Sequence, residues 1–233
     1  MDRSAFQERL VGLFLRLNGY FQTGYMPHSE IWGHNGTDFD RVGIRFPLHS
    51  QSERGEIYSD HLDIQKDAID IIIAEVKNAT MKFNDAIKSV NNRSDINITQ
   101  LLRWCGLFEE NELINLTVQF LNITDNDALA VNESFAKIEH NNRFGAITIR
   151  PIIFSIETAH AEGENIMFIN GINIIEYLWE CLCPDEKRVD CSTRYPFKNW
   201  GFEYADIVGY IKERHIRGEA IPTTSDLYNA FNI

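Results

Sequence analysis

The sequence predicts a mixed α/β fold, with a central β-sheet flanked by helices. Three observations carry that expectation. Residues 4–17 set Phe6, Leu10, Leu13, Phe14 and Leu17 at spacings of three and four, the period of an amphipathic helix. Ile71-Ile72-Ile73-Ala74, inside the run 70–77, is apolar without alternation, as in a strand covered on both faces. Helical and strand patterns then interleave irregularly, which points to a mixed sheet with helices packed on it and not to a regular βαβ repeat.

Taken in order, Asn18-Gly19 is a helix stop after the first helix. Residues 20–26 are an aromatic-rich strand, Asn35-Gly36 a tight turn, and Thr37 to Phe46 a second strand closed by Pro47. Residues 48–67 are a polar loop before the strand at 70–77. Lys82–Ser89 reads as a short helix, 91–95 as a loop, and 98–108 as a helix through Leu101, Leu102, Cys105 and Leu107. Leu113–Leu121 is β-branched enough to suggest a strand, and 125–145 is polar and partly helical. Gly145–Ile156 is a strand broken or edged by Pro151, and Asn165–Ile169 another with Gly171 as its turn. Ile174–Cys183 and Glu203–Arg217 are helices, joined by a loop through Pro184 and Pro196. There is no internal repeat and no clear linker, so 1–233 is expected to be one domain.

Composition narrows the function classes. The 233 residues are 44% hydrophobic, enough for a substantial core. A net charge of −12 argues against a protein that coats nucleic acid generically, though not against one that grips phosphate locally. No basic-then-apolar leader opens the chain, and no apolar run reaches the ~18–20 residues that span a bilayer, so a cytoplasmic protein with no membrane partner is expected. Cys181, Cys183 and Cys191 follow a C-x-C-x7-C spacing without a CxxC pair or a nearby histidine, so reduced thiols are favoured over structural zinc. Trp32, Trp104, Trp179 and Trp200 read most simply as packing. His28 and His34 read as exposed residues beside the turn, while His61 sits in the long loop.

The chemistry concentrates in the first half. Glu75 and Lys77 are two residues apart at the end of the apolar strand, so they share a face. Charge at the end of a core strand is costly unless something pairs with it, and a metal ion or a phosphate would do so. Asp38 and Asp40 share a face of the preceding strand by the same rule, and Glu8 lies in the opening helix. A hard divalent cation takes one or two carboxylates plus phosphate and water, which Asp40, Glu75 and the Val76 carbonyl would complement. Residues 75–105 carry five cations against three carboxylates, a local excess in an acidic chain.

Asp40, followed by Glu75-Val76-Lys77 at the end of an apolar strand, resembles the PD-(D/E)XK nuclease superfamily, whose fold is restriction-endonuclease-like. The resemblance covers about residues 5–108, with 109–233 as a C-terminal elaboration. The literal Pro-Asp is missing, since Phe39 precedes Asp40, and Asp38 stays open as the alternative ligand. The resemblance implies Mg²⁺ or Mn²⁺ on Asp40 and Glu75, and Lys77 beside the attacking water. It also implies an assisting Glu8. One branch adds Q-x-x-x-Y on the next helix; here Gln100 is followed by Trp104 in place of tyrosine. The implied activity is a DNA endonuclease of restriction, repair or phage defence, with RNA a weaker substrate. The implied assembly is a homodimer or a partner protein of a defence system. The alternative is a catalytically inactive module that keeps the fold for binding.

Overall fold

The computed structural model describes residues 2–29, 37–50, 58–89, 93–126, 134–158, 168–184 and 197–233. Among them lie six strands and six α-helices in a three-layer α/β/α arrangement. The strands are β1 (Phe21–Tyr25), β2 (Phe39–Arg45), β3 (Ile69–Lys77), β4 (Ile138–Asn142), β5 (Gly145–Ser155) and β6 (Phe168–Ile169). The helices are α1 (Arg3–Leu17), α2 (Ser94–Cys105), α3 (Glu110–Asp125), α4 (Gly171–Leu182), α5 (Gly201–Ile216) and α6 (Thr224–Phe231). The mixed α/β fold with a helix-flanked sheet is therefore present. Its strand order is β1-β2-β3-β5-β4, with β6 beside β5. β1, β2 and β3 form an antiparallel meander, β5 runs parallel to β3, β4 is antiparallel to β5, and β6 is parallel to it.

Strand parity divides the core. Ile72 and Ala74 of β3 face a layer built from α1, α4, α5 and α6, through Leu10, Phe14, Ile174, Leu178, Ile207 and Leu227. Ile71 and Ile73 face α2 and α3, through Ile98, Leu101, Leu102, Leu116 and Phe120. β3 is thus buried on both faces, the condition its unbroken apolar run implied. Full burial of each isoleucine contributes roughly 1.5–3 kcal/mol.

Several elements differ from the sequence expectation. Residues 113–121 lie in α3, not in a strand. Leu113, Leu116, Thr117 and Phe120 are buried at helical spacing, and Glu109 and Glu112 cap the helix N-terminus reciprocally. The β-branched Ile114 and Val118 that suggested a strand lie exposed on the outer side. The expected part-helix at 125–145 instead contains β4, which turns into β5 over Arg143-Phe144. Pro151 neither breaks nor edges β5. It falls between Ile149, where β4 pairing ends, and Ile153, where β6 pairing begins, so no ladder bond on that side needs its missing N–H. Lys82–Ser89 shortens to a 3-10 turn at Asp85–Ile87. α6 has no counterpart in the sequence expectation. The Asn35-Gly36 turn, Trp32, His34 and Cys191 lie outside the described residues.

Gly171 is the first residue of α4 rather than a turn, behind the Asn170 cap. A Cβ there would stand 2.6 Å from the Ile156 carbonyl oxygen and 2.9 Å from Thr224 Oγ1. Gly171→Ala should therefore destabilise the protein by about 1–3 kcal/mol, read as a lower urea midpoint at constant slope. An unchanged midpoint would mean that β5 and α6 give way at no cost.

Candidate active site

β2 and β3 deliver the expected residues to one end of the sheet. Their antiparallel register pairs Arg41 with Ala74, so Asp40 and Glu75 come next on the two strands. Asp40 accepts the Val76 N–H at 2.7 Å. The N–H and C=O of one strand residue point to the same edge, so the Val76 carbonyl is also directed toward β2. Glu75 is only 4% exposed. Lys77 Nζ donates to Glu75 Oε1 at 2.5 Å and keeps part of its surface in water. Glu8 reaches the same place from α1, close enough to feel the Asp40 carboxylate and the Arg41 guanidinium. Asp38 is exposed and lies farther out on the same approach.

The electrostatics show a demand for positive charge. Burial pushes the Glu75 carboxyl up from its usual 4.5 to about 7, against the pull of Lys77 and with a further push from Asp40. Burial also raises Asp40, opposed by the Val76 N–H and by Lys77. Glu8 is raised by burial and then by Asp40. Asp40 and Glu75 thus share one ammonium, with Glu8 near enough to add to the charge at Asp40, and a cation between Asp40 and Glu75 would relieve both.

The donor set fits a hard divalent ion. Asp40, Glu75 and the Val76 carbonyl are all oxygen donors, and such a set leaves the remaining positions to water and phosphate, as Mg²⁺ usually requires. Among the described residues there is no group of three or more His, Cys, Asp or Glu side chains arranged to hold a metal by themselves.

Apo stability should follow from the raised Glu75. Below about pH 4.5 the carboxyl is protonated in both folded and unfolded chains. As pH rises from there to about 7 the unfolded chain ionises first, so folding stability falls; above about 7 it is level. The fall attributable to Glu75 is about 3 kcal/mol. Denaturation in EDTA at pH 5 and pH 8 should show wild type losing more stability than Glu75→Gln, with Mn²⁺ recovering the loss at pH 8. Equal losses for the two proteins would refute the assignment.

Gln100 makes no hydrogen bond to these four. It is half-buried on α2, and its Oε1 has no hydrogen-bond partner. His61 does not approach the site. It contacts Asn173, and the adjoining Leu62 and Asp63 carbonyls bind Arg150, the partner of Asp70 at the opposite end of β3. Cys183 is a buried thiol that donates to the Ile211 carbonyl.

Positioning residues with no sequence signal surround the site. Gln7 donates to Asn78 at 2.8 Å and to the Tyr228 hydroxyl at 2.7 Å, tying α1 to the end of β3 and to α6. Arg41 pairs with Glu203 at 3.1 Å, and Arg9 donates to the Glu203 carbonyl at 2.6 Å and binds Asp206, holding α5 beside β2. These partners come together from opposite ends of the chain, so no local pattern announces them.

Two clefts, of about 340 and 490 Å³, have neither Asp40 nor Glu75 nor Lys77 in their linings. Among the described residues, no helix is long and apolar enough to cross a membrane. Compared with protein-family models, curated proteins and solved structures, the chain matches none.

Proposed function

We propose that this chain is a Mg²⁺- or Mn²⁺-dependent nuclease of restriction-endonuclease-like fold that hydrolyses phosphodiester bonds of DNA. The observation that carries the reading is the meeting of Asp40, Glu75 and Lys77 at one strand end, where Asp40 accepts the Val76 N–H and Lys77 donates to a deeply buried Glu75, with Glu8 adding its charge near Asp40. Asp40, Glu75 and the Val76 carbonyl would hold the cation. When bound, the cation supplies a more nucleophilic water and charge neutralisation on phosphate. Lys77, tethered to Glu75, orients that water and offsets charge that builds on the phosphate. Glu8 adds a carboxylate on the α1 side, and Gln100 contributes an amide from α2. Restriction, repair and phage defence are the settings such an activity serves, and cutting both strands calls for a dimer.

A second reading is a binding module without catalysis. The Lys77–Glu75 ion pair favours it, because that pair answers the Glu75 charge without a metal. One experiment separates the two. Supercoiled plasmid is incubated with the protein in Mg²⁺, Mn²⁺ or EDTA, alongside calorimetry of divalent binding. Metal-dependent nicking is expected; no nicking and no metal binding would leave the module.

A further inference from the structure

Tyr25 closes β1, and its Cα partner is Phe39, the residue before Asp40. Strands lie about 4.8 Å apart and residues about 3.4 Å along a strand, so the Tyr25 backbone is within roughly 7 Å of the Asp40 backbone. The Tyr25 ring meets Phe39 at 6.0 Å on the sheet side and the Trp104 ring at 4.8 Å, tilted 32°, on the other. Trp104 remains 49% exposed, whereas Ile98, Leu101 and Leu102 of the same helix are fully buried. The outermost ring of this aromatic row is therefore held in place on one side and wet on the other.

The row Phe39-Tyr25-Trp104 leads outward from the strand that carries Asp40 and ends in a ring half open to water. A ring fixed by one stacked neighbour extends naturally to one more flat aromatic group. We propose that Trp104, backed by Tyr25, is a stacking platform for an unpaired nucleobase, so that the chain engages single-stranded nucleic acid or single-stranded segments of a duplex. The proposal rests on the nuclease reading for what lies beside the platform. Bases inside a duplex have both faces covered, whereas every unpaired base can offer one. Arg103, the neighbouring cation, is forked onto Glu110 at 2.5 and 2.8 Å, so the platform works by stacking and not by clamping a phosphate. Other cations on the path from β3 to α2, Lys77 and Lys82 among them, complement the backbone phosphates.

The test is fluorescence anisotropy with a labelled oligothymidylate, its RNA counterpart and a blunt duplex, using Ca²⁺ in place of Mg²⁺. Wild type should bind the single strands more tightly than the duplex. Trp104→Ala should weaken single-strand binding by about 10-fold and leave the duplex unchanged, since stacking on one base is worth roughly 1–3 kcal/mol. Trp104→Phe should keep most of the affinity. Trp104→Leu, which still packs on Tyr25 but has no π face, should behave like alanine and guards against a packing artefact. Equal single-strand affinity in wild type, Ala and Leu variants overturns the platform, as does the absence of single-strand binding by wild type. Failure of the nuclease reading looks different: wild type would bind single strands through Trp104 yet cut nothing in Mg²⁺ or Mn²⁺.

Discussion

On the proposed nuclease reading, Lys77→Ala and Asp40→Asn should each reduce metal-dependent plasmid cleavage by roughly 10²-fold or more, with both proteins still folded. Asn at position 40 keeps an oxygen for the Val76 N–H, now met at 2.7 Å, so the β2–β3 junction should survive and the loss should be chemical. Lys77 is partly exposed, and its removal deletes the ammonium that lies 2.5 Å from Glu75. That deletion strips the site of its countercharge without opening the core. The two variants should part in calorimetry. Asp40→Asn removes a cation ligand and weakens divalent binding. Lys77→Ala removes a competing ammonium and leaves divalent binding intact or tighter. Wild-type cleavage by either variant would overturn the assignment of that residue.

Arg150→Met costs about 3–5 kcal/mol of stability, the largest single effect expected away from the site. Arg150 and Asp70 are both fully buried on neighbouring central strands. Arg150 Nε and Nη2 hold the two Asp70 oxygens at 2.9 and 2.5 Å, and Nη1 binds the Leu62 and Asp63 carbonyls at 2.6 and 3.0 Å. The Tyr20 hydroxyl also donates to Asp70, at 2.5 Å. Removing the guanidinium leaves Asp70 in the core with the Tyr20 hydroxyl and the Gln65 N–H as its donors, and with the buried Arg45, its cross-strand partner on β2, as the remaining cation. In a chain of this size the loss corresponds to a Tm drop of roughly 6–20 °C. Arg150→Met combined with Asp70→Asn should recover part of it, because the penalty comes from the unpaired charge. A single variant with unchanged Tm would mean that water reaches Asp70.

The two charged ends of β3 show what was legible. Glu75 and Lys77 stand two residues apart, and a strand's period of two places them on one face whatever else the protein does. Asp40 was legible only through the family resemblance, because a long connection separates β2 from β3 and the antiparallel register between them is what sets it beside Glu75. Asp70 and Arg150 are separated by 80 positions, and the parallel β3–β5 pairing that joins them has no local signature. The same holds for Trp104, which reads from sequence simply as packing; its pairing with Tyr25 exists only because α2 lies against β1. α3 was misread for a different reason. Ile114, Thr117 and Val118 favour strands by propensity, but the burial period of Leu113, Leu116 and Phe120 decides, because packing on a sheet outweighs per-residue preference.

The sequence by itself determined the elements whose periodicity is strong. These include the amphipathic α1, the doubly buried β3, and the placement of Glu75 and Lys77 on one strand face. Those follow from geometry within a few residues, where covalent spacing alone sets direction. Only the tertiary structure decided that Glu8 comes near enough to Asp40 to feel its charge and that Arg150 neutralises Asp70. It also decided that Glu75 is buried deeply enough for its carboxyl to be pushed up to about 7. Desolvation and charge pairing depend on distances through space, and those exist only once the sheet has brought distant segments together.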